Sequence, residues 1–347
     1  MNARVESLRA LLDEPLLVTD RTNLRYLTGF DSSNAALLVT DESLTLYSDF
    51  RYASAARAVE GVEFVETRRG LLGDLAERLA ARGRIAFEAD AVSYAGYDTL
   101  RGGGIELVPR RALVERLRAV KDEEELAVVR RASDVTTRAF AAFAEEPLVG
   151  RTERELAARL EAIMRELGAE RLAFDAVIAA GPNAARPHAE PGDRVVARGD
   201  VVVVDAGAVL DGYCSDCTRT FAAGPIGAEL GDAYALCLDA QLAALERIRP
   251  GMSGVEADRL ARGVIEVGGH GSAFGHGLGH GVGLAVHEAP RLSPESTDTL
   301  APRNVFSVEP GIYLEGRGGI RIEDLVVLHE TGPEVLTRFT KEFVKVS

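Results

Sequence analysis

Residues 200–224 read DVVVVDAGAVLDGYCSDCTRTFAAG, two β-rich runs on either side of Asp211-Gly212. Asp-Gly favours the two-residue type I′ turn, so the stretch is expected to fold as a hairpin. With Asp211 and Gly212 as the loop, Leu210 faces Tyr213 and Asp205 faces Thr218, while Asp216 lies two positions along on the same face. Both carboxylates then point to one side. Asp205 follows four valines, and a charge at the end of a buried run needs a partner.

A second hairpin is expected in residues 304–328, NVFSVEPGIYLEGRGGIRIEDLVVL. A turn centred on Gly316 sets Glu309 opposite Glu323, again on one face. Four carboxylates crowded together repel one another unless cations neutralise them, and two divalent ions supply the matching charge. Between the hairpins, residues 274–290 read FGHGLGHGVGLAVHEAP, with His276, His280 and His287 among glycines that let backbone approach a site closely. A lone histidine is usually a satisfied surface or core residue; three within twelve positions beside two acidic hairpins point to a site.

The rest of the chain divides in two. Short β-rich runs (Leu16–Val18, Ala36–Val39, Leu44–Tyr47, Val62–Val65, Arg84–Phe87, Ile105–Val108) alternate with helical stretches such as Leu71–Ala81, the mark of an α/β domain. After residue 118 the composition changes: Val128, Ala132, Val135, Ala139 and Phe143 recur at helical spacing behind an Asp122/Glu125 capping box. The expected domains are therefore 1–118 and 119–347. Thr152/Glu155 and Ser253/Glu256 announce two further helices in the same way.

Composition sets the limits. The 347 residues are 46% hydrophobic and 27% charged, proportions of a folded globular protein with length for a large core. A net charge of −14 with no long basic run argues against nucleic acid as a partner. No apolar stretch approaches the roughly 20 residues that span a bilayer, and the start MNARVESLRALLDEPL lacks a signal-peptide core. No membrane association and a cytoplasmic location are expected. Three cysteines, Cys214, Cys217 and Cys237, are too few and too odd in number for a disulfide framework. The Cys214/Cys217 spacing lies in a strand-like stretch with no second such pair, so it is read as two small residues beside Asp216 rather than as a redox or zinc motif.

Taken in order, DAGAVLDGYCSDCTRT, HGLGHGVGLAVHE, SVEPGIY and GGIRIED resemble the signatures of the pita-bread metallopeptidases, the family of methionine aminopeptidase, aminopeptidase P, prolidase and metal-free creatinase. The resemblance covers the chain from about residue 120, and the preceding α/β domain is similar to the creatinase-like one of aminopeptidase P, prolidase and creatinase. It implies Asp205, Asp216, His280, Glu309 and Glu323 as ligands of two divalent ions, with Asp216 and Glu323 bridging; Mn²⁺ is the expected metal, with Co²⁺ or Zn²⁺ as alternatives. A histidine after the strand FDAVIAAG also belongs to the pattern, here His188. Glu309 is expected to take the proton of the attacking water, His287 to stabilise the oxyanion and His188 to hold substrate. His276 and Arg321 complete the substrate site; for Arg321 the plain alternative is a surface salt bridge.

The implied activity is hydrolysis of the Xaa-Pro bond in proline-containing peptides. Methionine aminopeptidase lacks so long a preceding domain, and creatinase lacks the carboxylates. The compact length and the segment DFRY (Asp49–Tyr52) resemble small bacterial members, in which aminopeptidase P and prolidase activities both occur. The sequence reading favours aminopeptidase P, with a prolidase restricted to dipeptides as the alternative and an inactive peptidase-like binding module as the reading of another class. A dipeptide specialist needs a cation for the proline carboxylate, and Arg51, Arg291 and Arg317 are the candidates. A homo-oligomer, dimer or tetramer, is implied by the resemblance.

Overall fold

Hydrophobic runs too short for helices become the strands of the first domain. The computed structural model describes residues 3–346 and divides into two units, Met1–Arg118 and Ala119–Ser347. In the first, β1 (Leu16–Val18), β2 (Ala35–Val39), β3 (Leu44–Asp49), β4 (Glu63–Thr67), β5 (Arg84–Glu88) and β6 (Glu106–Arg110) form one sheet in the order β4-β3-β2-β1-β5-β6. It is mixed: β1, β2 and β3 pair antiparallel, whereas β3–β4, β1–β5 and β5–β6 are parallel. Leu17, Leu38 and Ile85 of the sheet bury against Leu75, Leu79 and Leu100 of the helices Leu71–Leu79 and Tyr94–Gly102. The first of these helices tightens into a 3₁₀ turn at Ala80–Arg82 and ends at Gly83, whose φ of 73° ordinary residues adopt only with strain.

The second unit opens on the helix Glu123–Phe143, and both halves of the Asp122/Glu125 capping box are made. Its core face holds Leu126, Val129, Ala132, Val135, Ala139, Phe140 and Phe143; Val128, expected on that face, is only half-buried at its edge. The Thr152/Glu155 and Ser253/Glu256 boxes likewise open the helices Glu153–Glu166 and Gly254–Val267.

Strands here are β7 (Arg171–Leu172), β8 (Val177–Ala180), β9 (Val201–Asp205), β10 (Ala208–Leu210), β11 (Tyr213–Cys214), β12 (Thr218–Ala223), β13 (Gly279–Gly281), β14 (Glu288–Leu292), β15 (Val305–Val308), β16 (Gly311–Leu314), β17 (Gly318–Arg321), β18 (Asp324–His329), β19 (Gly332–Val335) and β20 (Lys345–Val346). The sheet orders among the described residues are β20-β12-β9-β8, β14-β13-β15-β18-β19, β11-β10-β7 and β16-β17. The two expected hairpins each run through two of these sheets. In the first, Leu210 faces Tyr213 and Asp205 faces Thr218, the register the Asp-Gly turn dictates. In the second, Leu314 faces Gly318 and Val308 faces Asp324, one continuous register about Gly316.

The strands break where the chain passes from one sheet to the other. The gaps are Ala206-Gly207 opposite Ser215–Cys217 and Glu309-Pro310 opposite Ile322-Glu323. At the first gap a Cβ on Gly207 would meet the Ser215 carbonyl oxygen at 1.8 Å, so only glycine lets the two backbones approach there. Val201, Val202, Val203 and Val204 are all at most 2% exposed, their side chains alternating between two cores. At roughly 1.5–3 kcal/mol per fully buried aliphatic side chain, this run anchors the hairpin whose last residue is Asp205.

Candidate metal centre

The breaks in the two hairpins put Asp216, Glu309 and Glu323 beside the end of β9, which carries Asp205. A hydrogen bond from Glu323 N to Thr218 O (3.0 Å) joins the hairpins directly, and one from Glu309 N to Leu278 O (2.8 Å) brings in the glycine-rich histidine segment. His280 lies on β13, its Nε2 3.3 Å from Glu309 Oε1 and 3.8 Å from Asp216 Oδ2. One ligand atom each from Asp216, His280 and Glu323 lie within 4.8 Å of one another. Five residues distant in sequence thus converge.

Electrostatics show what the cluster lacks. Burial raises the carboxyl of Asp216 well above the carboxylate range, and the charges of Asp205 and Glu309 raise it further while His280 opposes. Glu323 is raised well by burial and by Asp216, Glu309 and Asp205, and Asp205 is raised by burial against the pull of Arg321. Glu309 goes the other way: burial would raise it, but the hydrogen bond and charge of His280 hold it at about 2. Burial would lower His280, yet Glu309 and Asp216 lift it to about 9.

Two atoms identify what fits. The Asp205 Oδ2 accepts from Arg321 Nη2 at 2.6 Å, while the buried Oδ1 has no hydrogen-bond partner. A buried carboxylate oxygen without a donor is a costly arrangement that a cation would relieve. In His280, Nδ1 faces the Gly281 carbonyl at 3.1 Å and must donate to it, which leaves Nε2 as the atom turned toward the carboxylates and the one that could hold a cation. The donor set is oxygen-rich with one imidazole and suits divalent cations.

A proton-release prediction follows. In the metal-free protein His280, lifted to about 9, is protonated at neutral pH, and a divalent ion at its Nε2 must displace that proton. Metal binding is therefore expected to release at least about one proton per chain and to weaken as pH falls. Titration calorimetry in two buffers of different ionisation enthalpy measures this; binding with no proton release would contradict the assignment of His280 Nε2.

A second layer of residues fixes the first. Ser307 takes the His280 backbone N–H (3.0 Å) and donates to Glu309 Oε1 (3.0 Å). Thr218, which faces Asp205 across the hairpin, donates to Glu323 Oε2 at 2.7 Å. Arg321 is 4% exposed and its guanidinium reaches Asp205, Thr218, Tyr313 and the Pro187 carbonyl, which disposes of the surface salt-bridge alternative.

Tyr313 is one of two residues the sequence reading missed. His276 Nδ1 donates to Gly277 O (2.8 Å), so its Nε2 accepts from the Tyr313 hydroxyl (2.9 Å), which in turn accepts from Arg321 Nη1 (2.9 Å). Only its place in SVEPGIY, four residues after Glu309, could have signalled it. Lys121 was missed too: fully buried, it pairs with Glu288 at 2.6 Å directly after His287. The His287 ring lies 4.2 Å from that of His280, and burial, with the charge of His280, lowers its pKa. His188 stands exposed on its loop, near enough for its charge to act on His276 and His287.

The three arginine candidates separate. Arg51 lies in the N-terminal unit, clamped by two bonds to Asp49, and Arg317 pairs with Glu229. Arg291 is exposed on β14 directly across from His280, and its charge acts on His287. The cysteines are free and buried, and burial pushes the Cys217 thiol far up, so it is a poor thiolate source.

Comparison with known proteins agrees with this geometry. Residues 127–330 match metallopeptidase family M24, and residues 4–120 match the creatinase/prolidase N-terminal domain. The chain belongs to metallopeptidase family M24. Among M24 relatives, an Xaa-Pro dipeptidase of Pyrococcus horikoshii is 32% identical over 99% of each chain. The structure of an Xaa-Pro dipeptidase from Bacillus anthracis superposes with a TM-score of 0.94 at 34% identity, covering 99% of each chain. An X-Pro aminopeptidase from Thermotoga maritima gives 0.90 at 36% identity, covering 99% of this chain and 100% of the other. The M24 chain thus has the creatinase-like α/β domain and pita-bread catalytic domain of these proteins, and membership of a metallopeptidase family, with the carboxylates that creatinase lacks, implies divalent metal. Among the described residues no helix is long and apolar enough to cross a membrane.

Proposed function

We propose that this M24 chain is a prolidase: a dinuclear, Mn²⁺-dependent enzyme that hydrolyses Xaa-Pro dipeptides. The observation that carries the substrate restriction is Arg291, an exposed cation opposite His280 with no ion pair among the described residues. Full-length similarity to chains named Xaa-Pro dipeptidase supports the same choice over the aminopeptidase P favoured by sequence alone. Aminopeptidase P remains the second reading, on the similarity to the Thermotoga protein.

Asp205, Asp216, His280, Glu309 and Glu323 would hold the two ions, whose chemistry is to acidify a shared water so that it attacks at neutral pH. Each protein group has its own task. Glu309, kept ionised, is the carboxylate that takes the proton and passes it toward the leaving nitrogen. His287, lowered in pKa and neutral, offers an N–H to the carbonyl oxygen as charge develops there. His188 holds substrate beside the scissile bond. The Arg321–Tyr313–His276 chain keeps Asp205 and the substrate side of the pocket in one arrangement. Arg291 takes the proline carboxylate.

The test compares Ala-Pro, Ala-Pro-amide and Ala-Pro-Ala, each with Mn²⁺ and with chelator. A prolidase cleaves the first and neglects the other two. Cleavage of Ala-Pro-Ala at a comparable or higher rate would establish aminopeptidase P instead. Arg291→Ala is expected to lower kcat/KM for Ala-Pro by about 10- to 100-fold, the worth of a charge-assisted hydrogen bond, and to leave the residual rate on the amide unchanged. An equal loss on both would remove Arg291 from carboxylate recognition.

A further inference from the structure

The loop that carries His188 is held from below by a buried carboxylate that the chemistry above does not use. It runs between β8 and β9 and wraps around the first turn of the helix Glu153–Glu166. That turn gives its free N–H groups to the loop: Glu153 N donates to Arg194 O (3.0 Å) and Arg154 N to Gly192 O (3.1 Å). Returning bonds run from Val196 N to Arg151 O and from Gly150 N to Val196 O, each 2.9 Å.

Inside this ring lies the Glu153 side chain, 0% exposed. Its Oε1 accepts from Ala180 N (2.8 Å) and Asn183 Nδ2 (2.9 Å), and its Oε2 from Gly192 N (3.0 Å) and Asn183 Nδ2 (3.2 Å). The donors lie at the entry of the loop, in its first turn and at Gly192, four residues past His188, and so bracket the segment 180–192. A single rigid group therefore fixes both ends of the segment. Ionised acceptors make bonds about twice as strong as neutral ones, and a carboxylate at the first helical position also faces the positive end of the helix dipole.

Above, the loop meets the catalytic hairpin. Pro187 O accepts from Arg321 Nη1 at 3.2 Å, and Ala184 O lies so near Gly319 that a Cβ there would stand 2.0 Å from it. His188 follows Pro187 and precedes Ala189, which is 5% exposed in the core. The imidazole is exposed, but the backbone bearing it is gripped on both sides.

We propose that Glu153 is the positioning residue for His188: its buried carboxylate ties the two ends of the 180–192 loop and thereby sets where that imidazole meets the substrate. The inference rests on the role given to His188 above. Presenting a substrate-holding group on prefixed backbone avoids ordering it at each turnover, and a displacement of about 1 Å can cost about 10²-fold in rate.

Glu153→Gln tests it. The amide keeps the shape but turns one acceptor into a donor facing a backbone N–H. Expected are a fall in kcat on Ala-Pro of about 10- to 100-fold, the range for residues that orient a site, with metal content unchanged. The double variant Glu153→Gln/His188→Ala is expected to be no slower than His188→Ala alone. Multiplying losses would overturn the proposal, because Glu153 would then act other than through His188. Hydrogen exchange needs no turnover: amides of the 180–192 loop should exchange faster in Glu153→Gln while those of β9 and β12 do not, and unchanged loop exchange would also overturn it. A wild-type protein that cleaves no Xaa-Pro peptide would refute the proposed function and leave the exchange result to judge the clamp. If Glu153→Gln fails to fold, Asn183→Ala removes one clamp donor and runs through the same cycle: losses that do not multiply with His188→Ala support the clamp, and losses that multiply overturn it.

Discussion

Asp216→Ala is expected to lose bound metal and at least about three orders of magnitude of turnover, since acidification of the attacking water, from about 15.7 toward 7, goes with the metal. The variant should nevertheless fold. Asp216 is buried beside Asp205, Glu309 and Glu323, and its raised pKa means that its charge is unfavourable in the metal-free protein. Removing it relieves repulsion, so the metal-free variant should melt no lower than metal-free wild type. Elemental analysis, turnover and melting together decide the matter. Full activity would refute the site, and a lowered melting temperature would mean that Asp216 holds structure rather than metal.

Asp324→Ala is the opposite case, a carboxylate beside the proposed ligand Glu323 whose charge is favourable. Fully buried, Asp324 accepts from Arg219 Nη2 (2.7 Å), Lys341 Nζ (2.6 Å) and Gln241 Nε2 (2.8 Å). Arg219 is 1% exposed and donates also to the carbonyls of Thr218, Glu323, Phe339 and Thr340, so it bolts the two hairpins together. Without Asp324 its guanidinium is a buried charge lacking its counter-ion, a change that costs about 3–5 kcal/mol. Denaturant titration of the metal-free protein measures it, and a loss below about 1 kcal/mol would show that the backbone carbonyls suffice.

The pH dependence has a definite sign. Burial would raise the Asp324 carboxyl, but Arg219 and Lys341 hold it below its usual value. Its contribution is therefore present at neutral pH and is lost as the pH falls through that lowered value. The metal-free cluster behaves in reverse for Asp216 and Glu323, whose raised carboxyls shed a penalty on protonation as the pH drops.

Local chemistry made the two hairpins legible. An Asp-Gly turn and a glycine-centred turn set the pairing of every residue behind them, because register propagates at one residue per step and a slip would turn the valines of β9 out of the core. The three capping boxes were equally local, since side chain and backbone partner lie three residues apart. Val128 packs only at the edge of the stripe because periodicity alone does not centre it; packing from neighbouring strands does.

What the sequence by itself determined was which residues could share a face: Asp205 with Asp216, Glu309 with Glu323, and the histidines among glycines. Only the tertiary structure decided how those faces meet. The strand breaks at the proposed ligand positions, the tie from Glu323 to Thr218, the Tyr313–Arg321–Asp205 chain, the Arg219–Asp324 bolt and the Glu153 clamp join residues up to 116 positions apart. Turn and helix signals act over a few residues. A buried carboxylate finds its donors only after separate segments have packed, so its partner is written in the fold and not in its neighbours.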